Sequence, residues 1–401
     1  MVAAILWQVV SLTGILTWAV LASLFKVTWT LRSLTQPWVY RRVIIETRLI
    51  LQIQKFHHSH LDALFSGLSC AVSAPFYTTF LPLLFWSGHG KLARQMTLLM
   101  AFCDYMGNCI KDVISAPRPS SPSIRRVTAT RDEEENALEY GLPSSHTLNT
   151  VCLLGYLLHY IVSHSQGSDV CIKVVGVAGV CLLVGLVGLG RIYLGMHCLI
   201  DVLSGLAIGL AILAFWLTVH EYVDCFIVSG ENVASFWAVL SFLLLFAYPI
   251  PEFPTPSFQY HAAFNGVALG IVCGVHQTYH QFHHEKVARI FGPQLAFPIF
   301  MGRVLVGIPA ILAVKLCSKA IAKWMLPIIS HTLGIPIRST GYIPMLKPSM
   351  TGKQPRYVRK LLILAHGDSF NADTGIMFFQ YVALAWSVVD FVPSLFSHLH
   401  L

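Results

Sequence analysis

Charge is what this sequence has least of. Of its 401 residues only 11% are Asp, Glu, Lys or Arg, while 55% are hydrophobic and the mean hydropathy is +0.65. That balance excludes an ordinary soluble domain of this length. The ten cysteines are scattered, mostly inside apolar windows, and form no C-x-x-C pair. They read as small core residues of an intracellular membrane protein, not as a disulfide framework. The sequence also lacks a G-x-x-x-x-G-K-[ST] loop, a paired-Asp nucleophile motif and a carboxylate–histidine set suited to two metals. Cys198 follows a histidine, but six residues on stands Ser204 instead of arginine, which removes a cysteine-phosphatase loop. No internal repeat and no low-complexity tract is present. The first apolar window starts at residue 2 without a basic leader or a clear cleavage site after it, so an uncleaved span is expected.

Apolar length is what the chain does have. A span needs roughly 20 mostly apolar residues. Windows of that kind lie at about 2–25, 61–87, 95–115, 147–162, 171–190, 197–219, 233–251, 261–276, 293–314 and 376–397, with a weaker one at about 320–335. The expectation is an all-α, polytopic integral membrane protein of nine to eleven spans. Residues 1–60 form a first span followed by a basic, amphipathic segment with Lys26, Arg32, Arg41, Arg42, Arg48 and Lys55, read as a connector along the membrane surface. Residues 61–219 hold the polar motifs, and 220–401 add further spans and a basic loop at 338–375. The net charge of +8 sits in short loops without interleaved aromatics, which speaks for lipid headgroups and against nucleic acid as partner. The run Arg131-Asp-Glu-Glu-Glu135 reads, by itself, as a solvated loop.

Ionisable residues at membrane depth are costly and tend to mark function. Three clusters stand out: Lys111 to Arg118-Pro119 at the end of the third window, Pro143-Ser144-Ser145-His146 at the start of the fourth, and Arg191, His197 and Asp201 at the junction of the fifth and sixth. If windows three to six cross antiparallel, all these ends share one membrane face, so the clusters converge. His197 and Asp201 are four apart, so a carboxylate and an imidazole share one helix face, and an Asp201 bond to Nδ1–H would leave Nε2 free as nucleophile or base. Lys111, Arg118 and Arg191 suit phosphate oxygens. Ser144, with backbone N–H groups at a helix start, offers neutral donors, and His146 remains to protonate a leaving oxygen. Gly205 and Gly209, spaced G-x-x-x-G, let helices approach closely.

The spacings K-x6-R-P, P-S-x-H and R-x5-H-x3-D resemble the three signature motifs of the type 2 phosphatidic acid phosphatase superfamily of integral membrane lipid phosphatases, over roughly residues 61–219. The resemblance implies a six-helix core, no metal or other cofactor, His197 as a nucleophile forming a phosphohistidine, Asp201 orienting it, and His146 as general acid and base. It assigns Lys111, Arg118, Ser144, Ser145 and Arg191 to the phosphate. Two positions depart from the pattern: Ser145 stands where glycine is usual, and Gly190 where a serine is usual before Arg191. The length beyond residue 219 and the wording around His146 and His197 resemble the sphingosine-1-phosphate (long-chain base phosphate) phosphatases of the endoplasmic reticulum. That likeness implies a phosphorylated sphingoid base as substrate and a lumenal catalytic face.

Rival readings are a broader phosphatidic and lysophosphatidic acid phosphatase, a silent transporter or scaffold that kept the pocket, and a membrane di-iron hydroxylase. The last would use His276, His280, His283 and His284, whose H-x-x-x-H and H-x-x-H-H spacings suit metal ligation, with His57, His58 and His60 as a poor second box.

Overall fold

The helices form along the apolar runs of the chain. The computed structural model describes residues 2–71, 73–119, 124–128, 133–134, 137–164, 170–253, 255–284, 287, 296–334, 337–338 and 370–401. Within these the chain is helical: α1 Val2–Leu24, α2 Val27–Gln54, α3 Ser59–Cys70, α4 Ala74–Trp86, α5 Gly90–Ile114, α6 Ser145–His164, α7 Val170–Tyr193, α8 Leu199–Ser229, α9 Val233–Ala247, α10 Pro256–Thr278, α11 Phe297–Leu333, α12 Ala372–Val389 and α13 Phe391–His398. A π-helical turn follows α10 at Tyr279–His283, and Ile337–Arg338 pairs in parallel with Phe370–Asn371. Lys347, Lys353, Arg356, Arg359 and Lys360 of the basic loop lie outside the described residues.

The protein is an all-α, multi-pass membrane protein. Among the described residues six helical stretches are long and apolar enough to cross a bilayer on length and composition: Ile5–Leu24, Lys173–Tyr193, Leu199–Ser229, Phe258–His283, Phe297–Thr332 and Ala372–His398. That is fewer than the nine to eleven windows read from sequence, for local reasons. The window at 61–87 breaks into α3 and α4, of 12 and 13 residues. Those at 293–314 and 320–335 fuse into one helix of 37 residues, and α9 has only 15. In α5 and α6 the apolar run is interrupted by buried polar side chains, among them Asp104, Lys111, Asp112 and Asn149.

Small residues decide how closely the central helices approach. A Cβ on Gly205 would lie 2.6 Å from the Ser144 carbonyl oxygen, and one on Gly209 would lie 3.1 Å from that of Leu148, so the glycine stripe of α8 seats it against the start of α6. Helices α10 and α12 pack against each other, and α10 also lies on α5. One apolar cluster therefore runs from Leu92 and Met96 of α5 to Leu384 and Val388 of α12.

Helix α2 is more than the surface connector expected. Arg41, Arg42 and Arg48 are exposed, but Val39, Val43 and Ile50 are buried on its other face. Arg32 donates from Nε to the Val113 carbonyl at 3.1 Å and from Nη2 to that of Asp112 at 2.8 Å. These are carbonyls that the end of α5 leaves without helical partners. Further along, a Glu46 carboxylate oxygen accepts from the Ile200 N–H at 2.9 Å, at the start of α8. The segment thus braces two helix ends that carry the polar motifs.

Candidate active site

The three clusters meet. α5 ends at Ser115, whose φ of 52° turns the chain out of the helix, and Pro117 and Pro119 prevent it from resuming. α7 ends in a turn through Gly195, at φ 72°, where the Leu194 N–H donates to the Gly190 carbonyl at 2.8 Å. A Cβ on Gly195 would lie 2.4 Å from the Arg125 carbonyl, so both the left-handed backbone and the adjoining strip 124–128 require glycine there. α8 then begins with Asp201 accepting from the Cys198 N–H at 2.9 Å, a reciprocal cap.

Arg118 is the hub. Buried in the loop after α5, it donates from Nη1 to the Met196 carbonyl at 2.8 Å and to His197 Nε2 at 3.1 Å, and from Nε to the Glu139 carbonyl at 3.0 Å. A guanidinium has only donors, so Nε2 must present its lone pair and the neutral ring carries its proton on Nδ1. Burial, followed by the charges of Arg118, Arg191 and Lys111, holds the His197 imidazole well below the ordinary histidine pKa. Its Nδ1 lies 3.4 Å from an Asp201 carboxylate oxygen without the alignment of a hydrogen bond. That oxygen is occupied by the cap, so the expected His197–Asp201 bond is a contact in this structure, and Nε2 is held by Arg118 instead of standing free.

The loop before α6 contributes what the sequence reading missed. Glu139 is buried and accepts from Lys111 Nζ at 2.9 Å, with Arg118 Nη2 at 3.5 Å from the same carboxylate oxygen. Glu133 is buried as well, 3.3 Å from Arg191 Nη1, which also donates to the Ser69 hydroxyl at 3.1 Å. All three cations assigned to the phosphate are thus paired with buried carboxylates of this loop, and Glu133 comes from the run read as solvated. Nothing in the spacing identified these partners.

Ser144 and Ser145 are the least engaged of the expected set. The Ser144 N–H donates to the Asp201 carbonyl at 2.9 Å, and its hydroxyl oxygen accepts from the Thr147 hydroxyl at 3.1 Å and more loosely from the Thr147 N–H. Ser144 is therefore the N-cap of α6, with its own hydroxyl proton still to give. Ser145 opens the helix, and His146 beside it lies within electrostatic reach of Arg191, Lys111 and Arg118. At Gly190 a Cβ would come 2.8 Å from the Phe65 ring, so Phe65 fills the space a serine would need, and Ser69 supplies a hydroxyl to Arg191 from the next turn of α3.

The histidines of 276–284 go separate ways. His276 bonds the Ile227 carbonyl at 2.9 Å and His283 that of Val389 at 2.7 Å, while His280 is exposed. Among the described residues no group of three or more His, Cys, Asp or Glu gathers as a metal site.

A family model described as the PAP2 superfamily matches residues 92–225, which contain all three motifs. The chain is 63% identical to the lipid phosphate phosphatase delta of Arabidopsis thaliana over 402 residues, covering 98% of this chain and 97% of that one. It is 32% identical to the dihydrosphingosine 1-phosphate phosphatase C823.11 of Schizosaccharomyces pombe over 61% and 58% of the two chains, and 29% identical to human sphingosine-1-phosphate phosphatase 2 over 45% and 43%. No solved structure matches. Similarity of that strength along nearly the whole chain, on top of three motifs that converge at one set of helix ends, shows that this chain belongs to the PAP2 superfamily and is a lipid phosphate phosphatase.

Proposed function

We propose that the enzyme hydrolyses long-chain base 1-phosphates, such as sphingosine, sphinganine and phytosphingosine 1-phosphate, to the free base and phosphate through a phosphohistidine. The contact that carries this reading is Arg118 Nη1 on His197 Nε2, which puts a phosphate-binding cation on the nucleophile's own lone pair. Lys111, Arg118 and Arg191, with Ser144 and Ser145, hold the phosphate. As the phosphate takes Arg118, Nε2 is released to attack phosphorus, and the ester P–O bond breaks while His146 gives its proton to the leaving alkoxide. His146 then takes a proton from water, whose oxygen displaces His197 from phosphorus and regenerates the neutral ring. Asp201 positions the imidazole from its Nδ1 side. The charge stabilisation comes from side-chain cations, so the steps call for no metal or other cofactor.

The sphingoid substrate rests on the activities for which the fission yeast and human relatives are named, and the endoplasmic reticulum membrane with a lumenal site rests on the motif resemblance. A phosphate-release panel in mixed micelles tests the substrate: sphingoid base phosphates against phosphatidic and lysophosphatidic acid, each with and without chelator. The expected result is preference for the sphingoid lipids, unaffected by chelator. Preference for phosphatidic acid would replace the substrate and leave the chemistry in place.

A further inference from the structure

Two carboxylates of the loop before α6, Glu133 and Glu139, pair with the phosphate cations. Glu133 lies against Arg191. Glu139 is shared by two, Lys111 at 2.9 Å and Arg118 at 3.5 Å, and Arg118 also grips its backbone carbonyl. Its neighbour Tyr140 and Pro117, next to Arg118, line a cavity of about 430 Å³ together with Gln36, Ser115 and Phe253. Glu139 thus adjoins both the phosphate cations and, through its chain neighbour Tyr140, the lining of that cavity.

A phosphate monoester dianion arriving among these groups draws Lys111 and Arg118 toward its oxygens. The Glu139 carboxylate is then left buried beside a second anion with its partners diverted, and an uncompensated buried charge is strongly unfavourable. A lipid that brings its own cation removes the conflict. In a 1-phosphorylated 2-amino alcohol the ammonium sits two carbons from the ester oxygen, close enough to take the carboxylate while the phosphate takes the cations. A glycerol-based lipid phosphate has an ester or hydroxyl at that carbon and offers no charge.

Building on the sphingoid reading above, we propose that Glu139 is the specificity-determining residue of this phosphatase, selecting lipids with an ammonium group beside the phosphate ester. The enzyme's charge pairs exchange on binding: Lys111 and Arg118 pass from carboxylate to phosphate, and the carboxylate passes from side-chain cations to the substrate amine.

The test compares sphinganine 1-phosphate with the same lipid carrying a hydroxyl in place of its amine, in mixed micelles, as a ratio of kcat/KM values that does not depend on how much protein folds. Wild type is expected to favour the amine, and Glu139→Gln to lower the ratio by roughly tenfold or more. A wild-type preference that survives unchanged in Glu139→Gln overturns this inference and leaves the sphingoid reading standing. No preference in wild type sinks the sphingoid reading, and this inference with it. A second measurement needs no variant: inhibition of wild type by O-phosphoethanolamine against 2-hydroxyethyl phosphate. The ammonium compound is expected to inhibit at lower concentration, and equal inhibition counts against Glu139 as an ammonium partner.

Discussion

Two buried charged clusters sit at opposite ends of the same three helices, α5, α6 and α8. Asp201 at one end of α8 and Asp224 at the other are separated by about 35 Å of helix. Away from the motifs, Arg94 makes a two-pronged pair with Asp224, with Nη2 to Oδ2 at 2.8 Å, and its guanidinium lies over the Tyr279 ring. Beside it Tyr156 donates to Gln95 at 2.7 Å, Gln95 reaches His220 at 3.2 Å, and Lys91 pairs with Glu221 near the surface. There each cation has a carboxylate to itself. At the motif end Lys111 and Arg118 share the one carboxylate of Glu139, and a histidine lone pair lies on Arg118. The Arg94–Asp224 and Lys111–Glu139 pairs are both buried, so what separates the structural network from the proposed phosphate site is whether its cations share a carboxylate.

The sharpest way to break that contrast is at His197, the proposed nucleophile. His197→Ala is expected to lower lipid phosphate release by on the order of 10³-fold or more, while the thermal transition of the detergent-solubilised protein stays near wild type. Substantial release by purified variant would take the chemistry away from this end of the bundle.

The opposite end should respond through stability. Asp224→Ala strands a buried guanidinium and is expected to destabilise the protein by about 3–5 kcal/mol, read as a fall in Tm, with turnover per folded molecule retained. Replacing both partners, Arg94→Met with Asp224→Leu, should recover most of the loss. A stability-neutral Asp224→Ala would mean that the pair is not closed as described.

The smallest effect lies at Gly190, back at the motif end. Gly190→Ser pushes a side chain against the Phe65 ring and should cost about 1–3 kcal/mol, recovered in part when Phe65→Leu is added. Thermal melts of the single and double variants decide it. A fully stable Gly190→Ser would show that Phe65 yields and that the usual serine fits here.

How much was legible depends on distance along the chain. The spacing between His197 and Asp201, the glycine stripe of Gly205 and Gly209, and the N-cap character of Ser144 are all properties of one helix start or one helix face, so periodicity exposes them. The parity of four helices was enough to bring Lys111, His146, Arg191 and His197 to one face. Glu133 and Glu139 were not legible, because a run of acidic residues beside prolines looks the same whether water or a buried cation faces it. Arg32 and Glu46 were hidden likewise, since their partners lie 81 and 154 residues away.

By itself the sequence determined that the chain is a bundle of membrane helices and which side chains stand at their ends, because hydropathy and helical periodicity act within a few turns. It also determined the chemistry those ends suit, since phosphate transfer asks for particular residue types at particular spacings. Only the tertiary structure decided how the charges pair. Which carboxylate meets which cation, that Arg118 holds Nε2 of His197, that Asp201 caps its own helix while touching the ring, and that Phe65 occupies the place of a missing serine all depend on loops folding back across the bundle. Those choices come from burial: once water is excluded, every charge must find a partner among the groups that the packing brings near.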